Sequence, residues 1–154
     1  MQPIKILQTL KIIHLSLLAG PIAFAVFAYL QKQSFNAEMD VSDIFTYIVP
    51  IAAASGYFIG IFLFQKRIRL LKKEDSLQIK LGTYQTALLV KYALLEGPSF
   101  LALIAYHLSG NALHLVIAIS LLAYLYAQRP TKEQLIKEIP LNLEERKSFD
   151  TFQP

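Results

Sequence analysis

Glu96 lies well inside an apolar run of this sequence, and it is the residue best placed to carry chemistry. A charged carboxylate at the centre of a membrane helix costs about 2.5–3.5 kcal/mol, so it is expected to be protonated, paired or facing a watery cavity. Such a group can carry a proton or a cation, or it can hydrogen-bond a substrate. The structural alternative is a protonated side chain that bonds a freed helix carbonyl or Ser99, one turn further along. Both interpretations are open at this point.

Lys91 and His14 could extend a site around Glu96 toward one end of the helices. Lys91 precedes Glu96 by five residues, which places it about 140° round the helix and about 7.5 Å nearer that end. A direct pair on one face is therefore not expected. His14 corresponds to Lys91 in an internal repeat, so the two residues are predicted at matched depths. They could line a vestibule that leads toward Glu96, or they could be interfacial side chains whose polar ends reach water.

Other catalytic and metal-binding patterns are absent from the sequence. There is no cysteine, which excludes disulfides, thiolate zinc sites, iron–sulfur clusters and cysteine nucleophiles. His107 and His114 lie at the ends of consecutive apolar runs, where interfacial histidines are expected rather than metal or haem ligands. There is no serine–histidine–acid set, phosphate-binding glycine loop or zinc motif. The sequence therefore predicts no enzyme, no cofactor and no metal.

The composition indicates that these residues lie in a membrane. Of the 154 residues, 55% are hydrophobic and 17% are charged, and the mean hydropathy is +0.44. A soluble domain of this length cannot bury that much apolar surface, whereas a helix of about 20 apolar residues crosses a bilayer. We therefore predict an all-α fold, a single membrane domain over residues 1–154 that forms a bundle of four transmembrane helices. The predicted spans are about 12–30, 44–64, 84–108 and 111–128.

Lysine and arginine residues predict the orientation of these spans. They precede the first span, fill the connection 65–81 and recur in the tail 129–154, whereas the loop between the first two spans is acidic, with Glu38, Asp40 and Asp43. By the positive-inside rule, both termini and the connection 65–81 are cytoplasmic. The basic flanks also account for the net charge of +4. The bilayer is therefore the expected partner, and nucleic acid is not.

The chain contains an internal repeat, seen when it is aligned with itself at a shift of 77 positions. Gln-Thr at 8–9 matches Gln-Thr at 85–86, and Gly20-Pro21 matches Gly97-Pro98. We interpret this as two tandem helical hairpins, predicted to be parallel because both start on the cytoplasmic side. Glu96 corresponds to Ala19 in the other copy. The hairpin architecture therefore does not require the carboxylate.

Small residues and prolines are predicted to shape the helices. Pro21 and Pro98 lack an N–H, so each helix is expected to bend there, either for packing or to form a substrate site. The preceding Gly20 and Gly97 are expected to let a neighbouring backbone approach. On the second helix, small residues recur at four-residue spacing and are predicted to pack within the bundle or against another subunit. They are Ala52, Gly56 and Gly60.

The segment Tyr84–Pro98, followed by Ser109-Gly110-Asn111 and Arg129-Pro130, resembles a group of small bacterial four-helix membrane proteins without an assigned activity. The resemblance covers most of the chain and implies the four-span architecture. The paired hairpins and the Ala-Leu-Leu-Glu segment that ends at Glu96 are also similar to the proteolipid ring subunits of rotary ATPases. This chain lacks their glycine-rich first helix, and both of its ends are predicted to be cytoplasmic. Their ion-binding role is therefore not carried over.

These features predict an accessory or interaction subunit of the inner, cytoplasmic membrane, in a homo-oligomer or with other membrane subunits. The small-residue stripe, the small soluble mass and the absence of a catalytic set support this function. The alternative is a small proton-coupled transporter or ion carrier that uses Glu96 at the centre of the bundle.

Overall fold

The computed structural model describes residues 3–33, 35–36 and 41–150, and this part of the chain is all-α. An isolated bridge between Asn36 and Asn111 is the one β-type pairing within it. The acidic residues Glu38 and Asp40 lie outside the described residues. The helices are α1 (Pro3–Lys32), α2 (Phe45–Arg69), α3 (Leu77–Ser109), α4 (Ala112–Ala127), α5 (Lys132–Glu138) and α6 (Leu143–Asp150).

Three of the described helices, α1, α2 and α3, are long and apolar enough to cross a membrane. A fourth span results if α4 and α5, which meet at an angle of 82°, are taken as one broken span. By itself α4 has 16 residues, which is about 24 Å of helix against a hydrocarbon core of about 30 Å. The all-α class is confirmed, together with three to four helices that fit a bilayer.

A tight turn joins α3 to α4 and makes them antiparallel neighbours. Gly110 has a φ of 72°, in the left-handed region that glycine adopts without steric cost, and its N–H donates to the Tyr106 carbonyl at 2.7 Å. The Asn111 side chain then accepts from the Leu113 N–H at 2.9 Å and begins α4. We call this end of the bundle the turn end.

The segment after α4 folds back on the opposite end, which we call the tail end and define by residues 128–150. Leu135, Ile139 and Phe149 of this segment are buried in the same hydrophobic cluster as Leu10 of α1 and Leu81 of α3. The structure therefore places the tail on the bundle.

α3 is the central helix, and α1 runs beside it in the same direction. At the tail end the rings of His14 and Tyr92 are 5.0 Å apart, and at the turn end those of Phe27 and His107 are 5.9 Å apart. A parallel pair of this kind is what the repeat requires. The tandem origin of the two hairpins stays a prediction.

α2 packs on α3 through its small residues. A Cβ at Gly56 would overlap the Leu94 carbonyl oxygen and lie 2.9 Å from Cγ of Pro98. One turn later, a Cβ at Gly60 would meet the Lys91 carbonyl oxygen at 3.6 Å. Ala52, one turn before Gly56, is half-buried. Of the two alternatives for this stripe, the structure shows packing within the bundle at its two glycines.

The glycines that precede the prolines behave differently from the prediction. Gly97 is exposed and a Cβ there would meet nothing within 4 Å, so within the described chain no neighbouring backbone approaches it. A Cβ at Gly20 would meet only a side chain, the Phe100 ring, at 3.5 Å. Pro21 and Pro98 both lie inside continuous helices. Close backbone contact at Pro98 comes instead from α2.

Candidate functional site

Glu96 lies at the seam between α3 and α1, near the surface of the bundle. Tyr92 and Phe100, one turn before and after it, both contact α1. Ala93 and Gly97, on its other side, are exposed. Glu96 itself is half-buried, and no described residue forms a hydrogen bond or a salt bridge with its carboxylate. The carboxylate therefore borders the surrounding medium rather than the centre of the bundle.

The structure does not support the hydrogen bond suggested for Glu96 and Ser99. The hydroxyl of Ser99 is fully buried and donates to the Leu95 carbonyl of its own helix at 2.7 Å. His14 and Lys91 line two separate cavities, and Glu96 lines neither of them. A vestibule from Lys91 and His14 to Glu96 is therefore not formed.

Lys91 and His14 are brought together at the C-terminus of α4 instead. Lys91 is 8% exposed and donates from Nζ to Oε1 of Gln128 at 2.6 Å. Its ammonium lies 5.0 Å from the centre of the Phe64 ring, a cation–π contact. The amine is thus held inside the protein and does not extend freely into the interface. A cation at this position also complements the negative end of the α4 dipole.

His14 and Tyr92 satisfy backbone carbonyls at the same helix end. His14 is 2% exposed, and its Nε2 lies 2.8 Å from the Leu125 carbonyl oxygen, so that nitrogen carries the proton. The Tyr92 hydroxyl donates to the Gln128 carbonyl at 2.7 Å. The last carbonyls of a helix lack intrahelical partners, which these side chains supply. We call His14, Lys91, Tyr92 and Gln128 the α4-end cluster.

The tail covers the α4-end cluster on one side. Lys91, Arg69 and Glu138 line an open cavity of about 400 Å³ there. His14 and Lys91, which the repeat predicts at matched depths, both bond groups at the end of α4, whereas the sequence did not single out Gln128, Tyr92 or Glu138. Gln128 was recognisable as the first polar residue after the fourth apolar run, whereas the contribution of Glu138 depends on how the tail folds back.

The two histidines at the turn end lie in different surroundings. His114 is fully buried, and its Nε2 lies 3.5 Å from Oδ2 of Asp43, although neither atom makes a hydrogen bond within the described residues. His107 packs separately against Phe24 and Phe27. No group of three metal-ligating side chains occurs among the described residues. His114 is enclosed at the turn end, where its ring packs edge-on against Phe45 of α2.

A buried ion pair fastens the tail to α3. The Nζ of Lys80 donates to both carboxylate oxygens of Glu145, at 3.0 and 2.8 Å, and to the Lys73 carbonyl at 2.9 Å. Lys80 is fully buried, and the Glu145 side chain is 11% exposed. The same carboxylate accepts from the Asn142 N–H, and the Asn142 side chain accepts from the Glu145 N–H, both at 2.8 Å. Glu145 therefore helps to begin α6 through Asn142 and attaches the same helix to α3 through Lys80.

Comparisons with models of protein families, with curated proteins and with solved structures give no match to this chain. The apolar helices are compatible with a multi-pass membrane protein. The site geometry adds two distinct features: a satisfied polar cluster at the tail end, and a carboxylate without a described partner at the surface of α3.

Proposed function

We propose that this chain is an interaction subunit of the cytoplasmic membrane, working as a homo-oligomer or with other membrane subunits. The contact face that we assign is the Glu96 face, defined as Ala93, Glu96 and Gly97 of α3. The observation that carries the proposal is the half-buried carboxylate of Glu96, which has no hydrogen-bond partner within the described residues.

The chemistry of a bilayer explains why such a face attracts a partner. A carboxyl group facing lipid is costly, and a second helix that offers a hydrogen bond removes part of that cost. Ala93 and Gly97 flank Glu96 and are exposed, with open space around Gly97. Small residues let a partner backbone approach closely, and interhelical polar contacts each contribute about 0.6–2 kcal/mol. The Glu96 face combines both features.

The alternative function, a proton-coupled transporter, has less support in the geometry. Glu96 lines neither the cavity beside His14 nor the one beside Lys91. Lys91 and His14, the other candidates for a pathway, are already hydrogen-bonded at the end of α4. A carrier built around Glu96 would need a path for the proton or ion from one side of the membrane to the carboxylate, and Lys91 and His14 do not provide such a path.

The test replaces Gly97 with leucine. The side chain has space in the single chain but would obstruct a partner at the Glu96 face. Gly82→Leu is the matched control, because Gly82 also lies on α3 with nothing within 4 Å of a Cβ, near the other end of the helix. In mild detergent we expect the native chain and Gly82→Leu to have the same mass, above the 17.4 kDa of one chain. Gly97→Leu should shift to the mass of the single chain.

Glu96→Gln distinguishes the two functions. Glutamine can still form hydrogen bonds but has no titratable proton. If the chain is an interaction subunit, Glu96→Gln should keep the assembled mass of the native chain, and the proton flux into vesicles should be the same for both. A native chain that is monomeric in detergent, with no co-purifying protein, contradicts the proposal. A proton flux that is abolished by Glu96→Gln supports the transporter instead.

A further inference from the structure

A groove between α1 and the segment after α4 carries positive charge at the tail end. It encloses a cavity of about 500 Å³, with Lys11 on the α1 side and Arg129 and Lys132 on the other side. Lys11 and Arg129 are exposed. Neither of their side chains forms a hydrogen bond or a salt bridge with a described residue. Both cations are therefore available to a ligand in the groove.

The walls of the same groove are apolar on the side nearer the middle of the bundle. Leu15 and Tyr126 line it and are 60% and 57% exposed. Tyrosine is a typical residue of the boundary between water and lipid. His14 also lines the cavity, with Nε2 bonded to the Leu125 carbonyl, so it contributes a ring surface more than a charge. A ligand that fits has an anionic group attached to an apolar chain.

One acidic residue, Glu133, also lines the groove. A backbone N–H and the Thr131 hydroxyl donate to its carboxylate, and these bonds hold the pKa of Glu133 below its ordinary value. It is therefore charged at neutral pH and offsets part of the charge of Lys132 and Lys11. Because three cations line the cavity against this one carboxylate, the groove keeps a positive balance.

We propose that this groove binds a phosphate ester, which in the membrane is the headgroup phosphate of an anionic phospholipid. Arg129 supplies a planar fork of donors that matches phosphate geometry, and Lys11 supplies a point charge from the opposite wall. The acyl chains lie along Leu15 and Tyr126. Basic pockets between transmembrane helices at the cytoplasmic side bind headgroups of this kind.

The experiment titrates the purified chain in detergent with three probes and counts bound molecules by native mass spectrometry. The probes are dioleoylphosphatidylglycerol, dioleoylphosphatidylcholine and glycerol phosphate. We expect phosphatidylglycerol to bind about tenfold or more tightly than phosphatidylcholine, because only the former carries net negative charge. Glycerol phosphate has the anionic group without the chains, so weak binding of this probe assigns the site to lipid. If glycerol phosphate binds as tightly as phosphatidylglycerol, the phosphate site is supported and its ligand is a soluble phosphate ester.

Charge variants separate this site from general attraction to the membrane. Lys11→Gln with Arg129→Gln should weaken phosphatidylglycerol binding by about 30-fold, the factor expected for two basic residues near a headgroup. The exchange Lys11→Arg with Arg129→Lys should retain most of the binding and show that the groove is intact. Lys5→Gln with Lys72→Gln is the control, since these substitutions remove equal charge at exposed lysines that do not line the groove. Unchanged binding in the first variant, or an equal loss in the control, overturns the proposal.

Discussion

Gly56 is the position where the packing of this bundle leaves the least space for a side chain. Its Cα faces the Leu94 carbonyl, which Pro98 deprives of the usual helical N–H. A Cα–H group is a weak donor that can partly satisfy such a carbonyl. The glycine on α2 and the proline on α3 therefore act together, since the proline frees the oxygen and the glycine lets a neighbouring helix cover it.

Gly56→Ala should destabilise the fold. The new methyl group would overlap a backbone oxygen, which cannot move aside as a flexible side chain can, and overpacking of this kind costs about 1–3 kcal/mol. Gly82→Ala is the control, because a Cβ there meets nothing within 4 Å. We expect a lower apparent melting temperature in detergent for Gly56→Ala and an equal or higher one for Gly82→Ala. Equal melting temperatures for Gly56→Ala and the native chain would contradict the close contact.

Sequence reasoning at the residue scale succeeded where the chemistry is local. The missing N–H of Pro98 and the small-residue spacing around Gly56 follow from residue type alone. That these two features meet each other depends on the rotation of α2 about its axis, which the sequence pattern does not specify. For the same reason, Gly97 was expected to face a neighbour and faces open space.

Among the elements, the tail is fastened to α3 by the buried charge pair of Lys80 and Glu145, and the two partners are not equivalent. Lys80 has no exposed side-chain surface, whereas Glu145 retains 11% exposure and bonds the Asn142 N–H as well. Removing the carboxylate leaves an ammonium buried without its counter-charge. Removing the lysine leaves a carboxylate that can still reach water.

Glu145→Gln should therefore destabilise the docked tail more than Lys80→Met does. Loss of one partner of a buried pair costs about 3 kcal/mol or more when the remaining charge stays buried. The measurements are the apparent melting temperature and the rate of trypsin cleavage after Arg146 and Lys147 in α6, with the exposed neighbour Glu144→Gln as the control. If Lys80→Met releases the tail faster than Glu145→Gln, the assignment of the buried partner is wrong.

The helices themselves were predictable from apolar runs, and their ends were not. α1 begins at Pro3, before the predicted span at 12–30, and α3 begins at Leu77, before the predicted span at 84–108. Hydropathy marks where a helix enters lipid, whereas the helix continues as long as its backbone groups are satisfied, here up to the Ser76 cap of α3. α4, by contrast, ends at Ala127, close to the end of its predicted span at 128. Pro130 disfavours helical backbone in the residue before it, so the helix does not continue further.

Across the whole molecule, charge separates between the two ends of the bundle. The tail end holds the N-terminus of α1, the C-terminus of α2, the connection from α2 into the start of α3, and the tail, which together carry nearly all of the lysine and arginine. The turn end has Lys32 as its basic residue within the described part and Asp43 beside His114. Because a fold with both α1 and α3 starting at one end places their basic flanks together, this charge asymmetry follows from the topology.

The positive-inside rule then predicts that the tail end faces the cytoplasm. Because the chain has no cysteine, single cysteines can be introduced without background: Val41→Cys at the turn end, and Glu74→Cys and Glu144→Cys at the tail end, all exposed. In intact cells, a membrane-impermeant maleimide should label Val41→Cys alone, and the other two variants should react only after permeabilisation. Labelling of Glu74→Cys and Glu144→Cys in intact cells would reverse the orientation. It would also place the Lys11–Arg129 groove in the outer leaflet, where its anionic ligand would have to be found.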